Sequence, residues 1–217
     1  MQGDTIVIEP HHRRAAEAIA KILIPVIERT DAQYTISVAG ESGSGKSETA
    51  AAIAEVLERS GVHCIILQQD DYFVYPPKSN DKARREDINW VGPQEVKLEL
   101  MDDNLAAFKQ GEKELHKPLV IYQEDKVVDE SMPTDNARVA IAEGTYTTLL
   151  NNIDTHVFIA RNYDDTRAHR EKRKRDESEL DPFIDEVLKI EHDIISKNRA
   201  RANIIINRDY SVTTVDR

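Results

Sequence analysis

Tyr34-Thr35-Ile36-Ser37-Val38-Ala39-Gly40-Glu41-Ser42-Gly43-Ser44-Gly45-Lys46-Ser47 runs from an apolar segment into a glycine-rich turn and on into an amphipathic segment. Residues 34–39 have the composition of a buried strand. Gly40 to Ser47 has the spacing of a phosphate-binding loop: a glycine, four residues, then Gly-Lys-Ser. Glycines let successive backbone N–H groups turn inward around an anion where a Cβ would obstruct the approach. The helix opening at Lys46 adds the partial positive charge of its N-terminus. In this pattern Lys46 reaches the β- and γ-phosphates and the Ser47 hydroxyl ligates Mg²⁺. The nucleotide set expected from the stretch is Gly40, Glu41, Ser42, Gly43, Ser44, Gly45, Lys46, Ser47 and Glu48, with ATP and Mg²⁺ as the ligands.

Downstream, Ala50, Ile53 and Leu57 place one apolar face on a helix from about Lys46 to Arg59, stopped by Gly61. Val62 to Leu67 is a second strand, and residues 69–89, poor in apolar side chains and carrying Pro76-Pro77, are expected to be a loop or irregular insertion. Pro93 opens a helix that buries Leu98, Met101, Leu105 and Phe108 and closes at Gly111. Leu119 to Tyr122 and Lys126 to Asp129 suggest a small hairpin. Val139 to Ala142, His156 to Ala160 and Asn203 to Ile206 are further strands. Asp181 caps a helix opened by Pro182, with Phe183, Val187, Ile190 and Ile194 inward. Upstream, Thr5 to Ile8 is a candidate short strand and Ala15 to Ile27 an amphipathic helix interrupted by Pro25. Strands alternating with helices predict an α/β fold with a mainly parallel sheet.

The bulk properties narrow the function. The 217 residues fit one domain (1–217), comprising an N-terminal extension (1–33), an acceptor-substrate region (69–130) and a lid (164–180). A net charge of −11 argues against a general nucleic-acid binder. No run approaches the roughly 20 apolar residues of a membrane span. The single cysteine, Cys64, lies in an apolar run and is expected to be a buried free thiol. With no signal-like N-terminus, the expected place is the cytoplasm. The apolar N-terminal helix leaves a homo-oligomer open.

Three further segments suit phosphoryl transfer. Gln69-Asp70-Asp71-Tyr72-Phe73 follows the second strand, at the edge where doubly wound sheets bind ligands. A carboxylate there can accept the proton of an attacking hydroxyl and orient it. Glu143 ends an apolar strand before Gly144, which fits a carboxylate holding Mg²⁺ directly or through water. Arg167-Ala168-His169-Arg170-Glu171-Lys172-Arg173-Lys174-Arg175-Asp176 concentrates positive charge in an acidic chain. Beside a triphosphate it reads as a lid that supplies arginines to the transferring group and excludes water.

Together these residues resemble the uridine kinase and phosphoribulokinase family. The matching segments are Gly40 to Ser47, Asp70 to Phe73, Asn89-Trp90 with Pro93, the hairpin around Tyr122, Glu143-Gly144, and Asp165-Thr166-Arg167 leading into Arg173-Lys174-Arg175-Asp176. The resemblance implies a P-loop NTPase three-layer αβα sandwich with a five-stranded, mainly parallel core sheet, a small hairpin and a helical lid. It implies Asp70 as general base and, with Ser47 and Glu143, a participant at Mg²⁺. Lys46, Arg173 and Arg175 would act on the transferred phosphate, and Arg167 and Arg170 on ATP. Asp71, Tyr72, Trp90 and Tyr122 would face the acceptor, a small hydroxylated metabolite. Uridine kinases usually carry Asp-His-Pro after the Asn-Trp pair, and that Asp binds the ribose hydroxyls; here Val91-Gly92-Pro93 follows Trp90. Their hairpin also carries a base-binding His, where this chain has Gln123-Glu124-Asp125-Lys126-Val127.

The acceptor alternatives are a nucleoside, a pantothenate-like or glycerate-like alcohol, or a sugar phosphate. A GTPase switch would need an Asn-Lys-x-Asp guanine motif, which Asn207-Arg208-Asp209 does not match. A catalytically idle nucleotide-binding protein would not require Lys46, Ser47, Asp70 and Glu143 together.

Overall fold

The computed structural model describes residues 6–166 and 181–215. Its central sheet has six strands: β1 (Tyr34–Gly40), β2 (Cys64–Gln68), β5 (Val139–Gly144), β6 (Thr155–Ile159), β7 (Ile204–Ile206) and β8 (Val212–Thr214), in the order β2-β5-β1-β6-β7-β8. The first five in that order are parallel and β8 is an antiparallel edge strand that the sequence pattern did not reveal. A separate antiparallel hairpin pairs β3 (Glu114–Ile121) with β4 (Lys126–Pro133). It is longer than the apolar runs suggest because its outer residues are polar and half-exposed.

Alternation along the parallel strands builds two cores. Ile36 and Val38, Val139 and Ile141, and Val157 and Ile159 point to one face; Ala39, Ala140, Ala142 and Phe158 point to the other. The first face is covered by α1 (Pro10–Glu28) and α2 (Lys46–Arg59), which bury Ile19, Leu23, Ile53 and Leu57. The second is covered by α4 (Leu98–Lys109), α5 (Pro182–Asn198) and the hairpin, through Met101, Leu105, Phe108, Leu115 and Ile195. This is the expected three-layer arrangement.

Five local expectations change. Thr5 lies outside the described residues, and Ile6 to Ile8 belong to no strand. Residues 69–89 are not a structureless loop: Gln69–Tyr72 is a 3₁₀ turn, and α3 (Pro77–Glu86) forms despite its polar composition. Pro93 opens a short 3₁₀ turn ending at Glu95, and α4 starts only at Leu98. The buried face of α5 is Val187, Leu188, Glu191 and Ile195, so Phe183, Ile190 and Ile194 are half-buried flanks of it. Cys64 is half-buried on the edge strand, and burial, then the Glu58 charge, push its thiol up to about 12.

Two N-terminal features have clear physical causes. Pro25 stays inside α1 because it lies on the exposed face, where the Lys21 carbonyl it leaves without a donor can be hydrated. Arg138 then closes the helix end: its guanidinium donates to the carbonyls of Ile27 at 3.2 Å and Asp31 at 2.9 Å, and also to Thr30. A cation on free carbonyls at a helix C-terminus is favourable. Among the described residues no helix is long and apolar enough to cross a membrane.

Candidate active site

The carboxyl ends of β1, β2 and β5 converge on the glycine-rich loop. Gly43 and Gly45 have φ of 73° and 93°, a region that side chains with a Cβ adopt only with strain. A Cβ on Gly40 would stand 2.7 Å from Ser44 Oγ, and one on Gly45 would stand 2.9 Å from His12 Nε2. The loop is thus packed from behind. Ser44 Oγ is buried with no hydrogen-bond partner among the described residues, an orphan that fits a loop built to hold an anion. Lys46 Nζ donates to the Glu41 carbonyl at 3.1 Å, spanning the loop.

Across the loop, Ser47 Oγ donates to Glu143 Oε1 at 3.0 Å. Glu143 is 4% exposed, and its carboxyl is pushed up to about 7 by burial first and the neighbouring Asp70 charge second; Lys46 and the Ser47 hydroxyl oppose the shift. A serine hydroxyl and two carboxylates beside a lysine form a hard-oxygen donor set suited to Mg²⁺.

What brings Asp70 to Glu143 is a glycine. Gly144 has φ of 159°, and a Cβ there would lie 2.2 Å from Gln69 Cβ. The end of β5 therefore sits directly against the turn Gln69–Tyr72, and Gln69 Oε1 accepts the Tyr146 N–H at 2.7 Å to hold it. The Glu-Gly pair is a carboxylate followed by the one residue that admits the Asp70 turn.

The two adjacent aspartates have opposite surroundings. Asp70 is exposed at the sheet edge. Asp71 is buried; it accepts from Lys117 Nζ and the Val120 N–H, each at 3.0 Å, and so ties the turn to β3. Tyr72 is fully buried and donates to Asn104 Oδ1 at 3.2 Å. Both expected acceptor residues therefore lie in the packing beneath the site. Trp90 and Tyr122 are half-buried; Trp90 Nε1 donates to Asn80 Oδ1 at 2.9 Å, and its ring lies 5.5 Å from that of Tyr75.

Sequence reasoning missed a buried charge network under this region. Arg84 Nη2 donates to Glu95 Oε1 and to Glu191 Oε1, each at 3.1 Å, and its Nε also donates to Glu95. Asn80 Nδ2 and the Gly92 N–H give Glu95 two more donors at 2.7 Å. Val91, in the position of the ribose-binding Asp, is buried beside it at 3% exposure. One signal was available: Glu191 lies on the apolar stripe of α5, between Val187 and Ile195. Lys117 gives the same signal, in phase with Leu115 and Leu119 on β3.

Glu41, counted toward ATP, directs its carboxylate away from the loop, to His192 Nδ1 at 2.6 Å and the Tyr163 N–H at 2.7 Å. Glu48 is buried in the first turn of α2. Beside the loop, Ala160, Arg199, Asn207, Arg208, Asp209 and Ser211 line a cleft of about 500 Å³ at the ends of β6 and β7. Arg167, Arg170, Arg173 and Arg175 lie outside the described residues.

Comparison with known proteins agrees with this geometry. The sequence profile of the phosphoribulokinase/uridine kinase family matches residues 35–207. The chain is 29% identical over 192 residues to the bifunctional alpha-galactosidase/sucrose kinase of Mediterraneibacter gnavus, covering 83% of this chain but 20% of that protein. It is 26% identical over 187 residues to the uridine kinase of Ureaplasma parvum serovar 3, covering 82% of this chain and 89% of the relative. In fold it resembles D-glycerate 3-kinase from Cryptococcus neoformans var. grubii, with a TM-score of 0.65 at 11% identity over 92% of this chain and 99% of that one.

Proposed function

This chain belongs to the phosphoribulokinase/uridine kinase family and is an ATP-dependent small-molecule kinase, and we propose that it phosphorylates a hydroxyl of a neutral acceptor with Asp70 as the base. Residues 40–47 form the nucleotide half of the site and residues 69–130 the acceptor half. The loop amides and Lys46 hold the β- and γ-phosphates. Ser47 and Glu143 would hold Mg²⁺ with Asp70 beside them, and the ion would neutralise charge on the phosphates and orient them. Asp70 accepts the acceptor's hydroxyl proton as the new oxygen–phosphorus bond forms and the bond from Pγ to the β-bridging oxygen breaks, leaving ADP.

One observation supports neutrality of the acceptor. Two cations of the acceptor half, the half-buried Arg84 and the buried Lys117, are each held by two carboxylates, Arg84 by Glu95 and Glu191, and Lys117 by Asp71 and Glu130. A carboxylate or phosphate on the acceptor would compete with these pairs and would itself be buried next to excess negative charge. Glycerate-like, pantothenate-like and sugar-phosphate acceptors are disfavoured on this ground; free sugars, polyols and nucleosides are not.

The test is ADP release from ATP-Mg²⁺ over a panel of neutral sugars, polyols, nucleosides, hydroxy acids and sugar phosphates, with the product identified by mass. Turnover is expected with neutral acceptors. Turnover confined to the anionic members would refute the reading.

A further inference from the structure

The hairpin β3–β4 is fastened at two places by aspartates. Asp71, next to the proposed base, binds β3 at Lys117 Nζ in mid-strand and at the Val120 N–H, one residue from the strand's end. At its tip Asp125 ends the turn that begins at Tyr122, with its own N–H donating to the Tyr122 carbonyl at 3.3 Å and φ of +48°. The Asp125 carboxylate accepts the N–H of Lys78 at 2.7 Å, the N–H of Ser79 at 3.2 Å and the Ser79 hydroxyl at 2.8 Å. The two N–H groups are free donors of the first turn of α3, whose own N-cap residue, Pro76, offers no side-chain bond. The helix is capped from another element.

The consequence is a closed ring. The chain runs from Asp71 through Tyr72 and Pro76 into α3, α3 is sewn to the hairpin tip by Asp125, and β3 is sewn back to Asp71 at Val120. Trp90 joins the same ring through Asn80 of α3. The proposed base, Tyr122 and Trp90 all belong to it. Between the hairpin tip and the start of α3 the separation is that of a hydrogen bond, so no ligand ring fits there. Opening the gap breaks bonds between a carboxylate and a helix N-terminus, which are among the stronger polar contacts. The turn that could reach out to a distant part of an acceptor is committed to closing the site.

We propose that Asp125 is a specificity-determining residue whose latch on α3 confines the acceptor site to compact neutral polyols, of the size of one sugar ring, against ligands as long as a nucleoside or a disaccharide. This rests on the kinase reading above. Asp125 acts through the hairpin and α3, as a positioning residue.

The experiment compares kcat/KM for a monosaccharide panel with that for uridine, cytidine and sucrose in the wild type, D125G and S79A. Glycine tolerates the positive φ of the turn, so D125G removes the carboxylate without straining the backbone, and S79A removes one bond only. The wild type is expected to prefer a monosaccharide. In D125G that preference falls about tenfold or more, through a raised KM for the compact acceptor, with KM for ATP within about twofold; S79A falls between. Amide hydrogen exchange at Lys78 and Ser79 reports whether the latch has opened. Faster exchange with an unchanged preference in D125G would overturn the proposal, as would a wild type that prefers the nucleoside or disaccharide. Failure of the underlying reading is separate: the wild type would then show no acceptor-dependent ADP release at all.

Discussion

The proposed nucleotide half and the proposed acceptor half of this site are built from different materials. Around residues 40–47 the proposed ligand groups are backbone amides, in a loop with glycines at positive φ that runs into a helix start. Around residues 69–130 the walls are held by buried side-chain charges, Arg84 with Glu95 and Glu191 and Lys117 with Asp71, and by Asp125 on α3. A backbone cradle is encoded within eight residues. A charge-held wall draws on partners up to 107 positions apart. The first tolerates little change in sequence; the second can be retuned one side chain at a time, which suits a family whose acceptors differ.

Breaking the charge-held wall is expected to have the largest effect on the fold. Glu95→Ala leaves Arg84 with one carboxylate and strips acceptors from Asn80 and the Gly92 N–H. A loss of about 3–5 kcal/mol follows, measurable by urea unfolding. The same substitution is expected to leave the ATP affinity of whatever remains folded close to wild type, because Glu95 bonds to Arg84, Asn80 and the Gly92 N–H, all outside the loop.

Next comes Glu143, an ionisable group that borders both halves. Glu143 titrates at about 7 in the folded protein against an ordinary value of 4.5. The folded state therefore holds the proton more tightly, and stability of the metal-free protein falls as pH rises from about 4.5 through about 7, by about 3 kcal/mol. Thermal unfolding in a chelator should show this slope, and Glu143→Gln should flatten it.

Gly144→Ala addresses the joint between the halves. Its Cβ would meet Gln69 Cβ at 2.2 Å and displace the Asp70 turn from Glu143, so kcat is expected to drop about 10²-fold while ATP binding changes little. Steady-state kinetics beside nucleotide titration separates the two. At the small end, Arg13→Ala removes an exposed ion pair with Glu55 on the far side of α2 and should cost under about 1 kcal/mol.

The sequence was most legible where chemistry is local. The loop, α2 from Lys46 to Arg59, the alternation of strands and the Asp181 cap each depend on residues a few positions apart, and each lies where the pattern puts it. The acceptor half resisted for the converse reason. α3 is almost wholly polar, with only Asn80 buried, so no apolar period marks it, and its cap comes from Asp125 on another element. Asp70 and Asp71 are indistinguishable as letters; Lys117, 46 residues from Asp71, makes that one a packing group. β8 is three residues long and mostly exposed, too short for an alternation to be seen.

The central claim is that Asp70 takes the acceptor's proton at a nucleotide site that does not depend on it. Asp70→Asn preserves shape and removes the base, so the decisive measurement is its kcat, with the wild type's own acceptor, beside the Kd for ATP-Mg²⁺. A kcat lowered about 10²- to 10⁴-fold with nucleotide affinity within a few-fold of wild type is the predicted result. A D70N enzyme that turns over at the wild-type rate would contradict it.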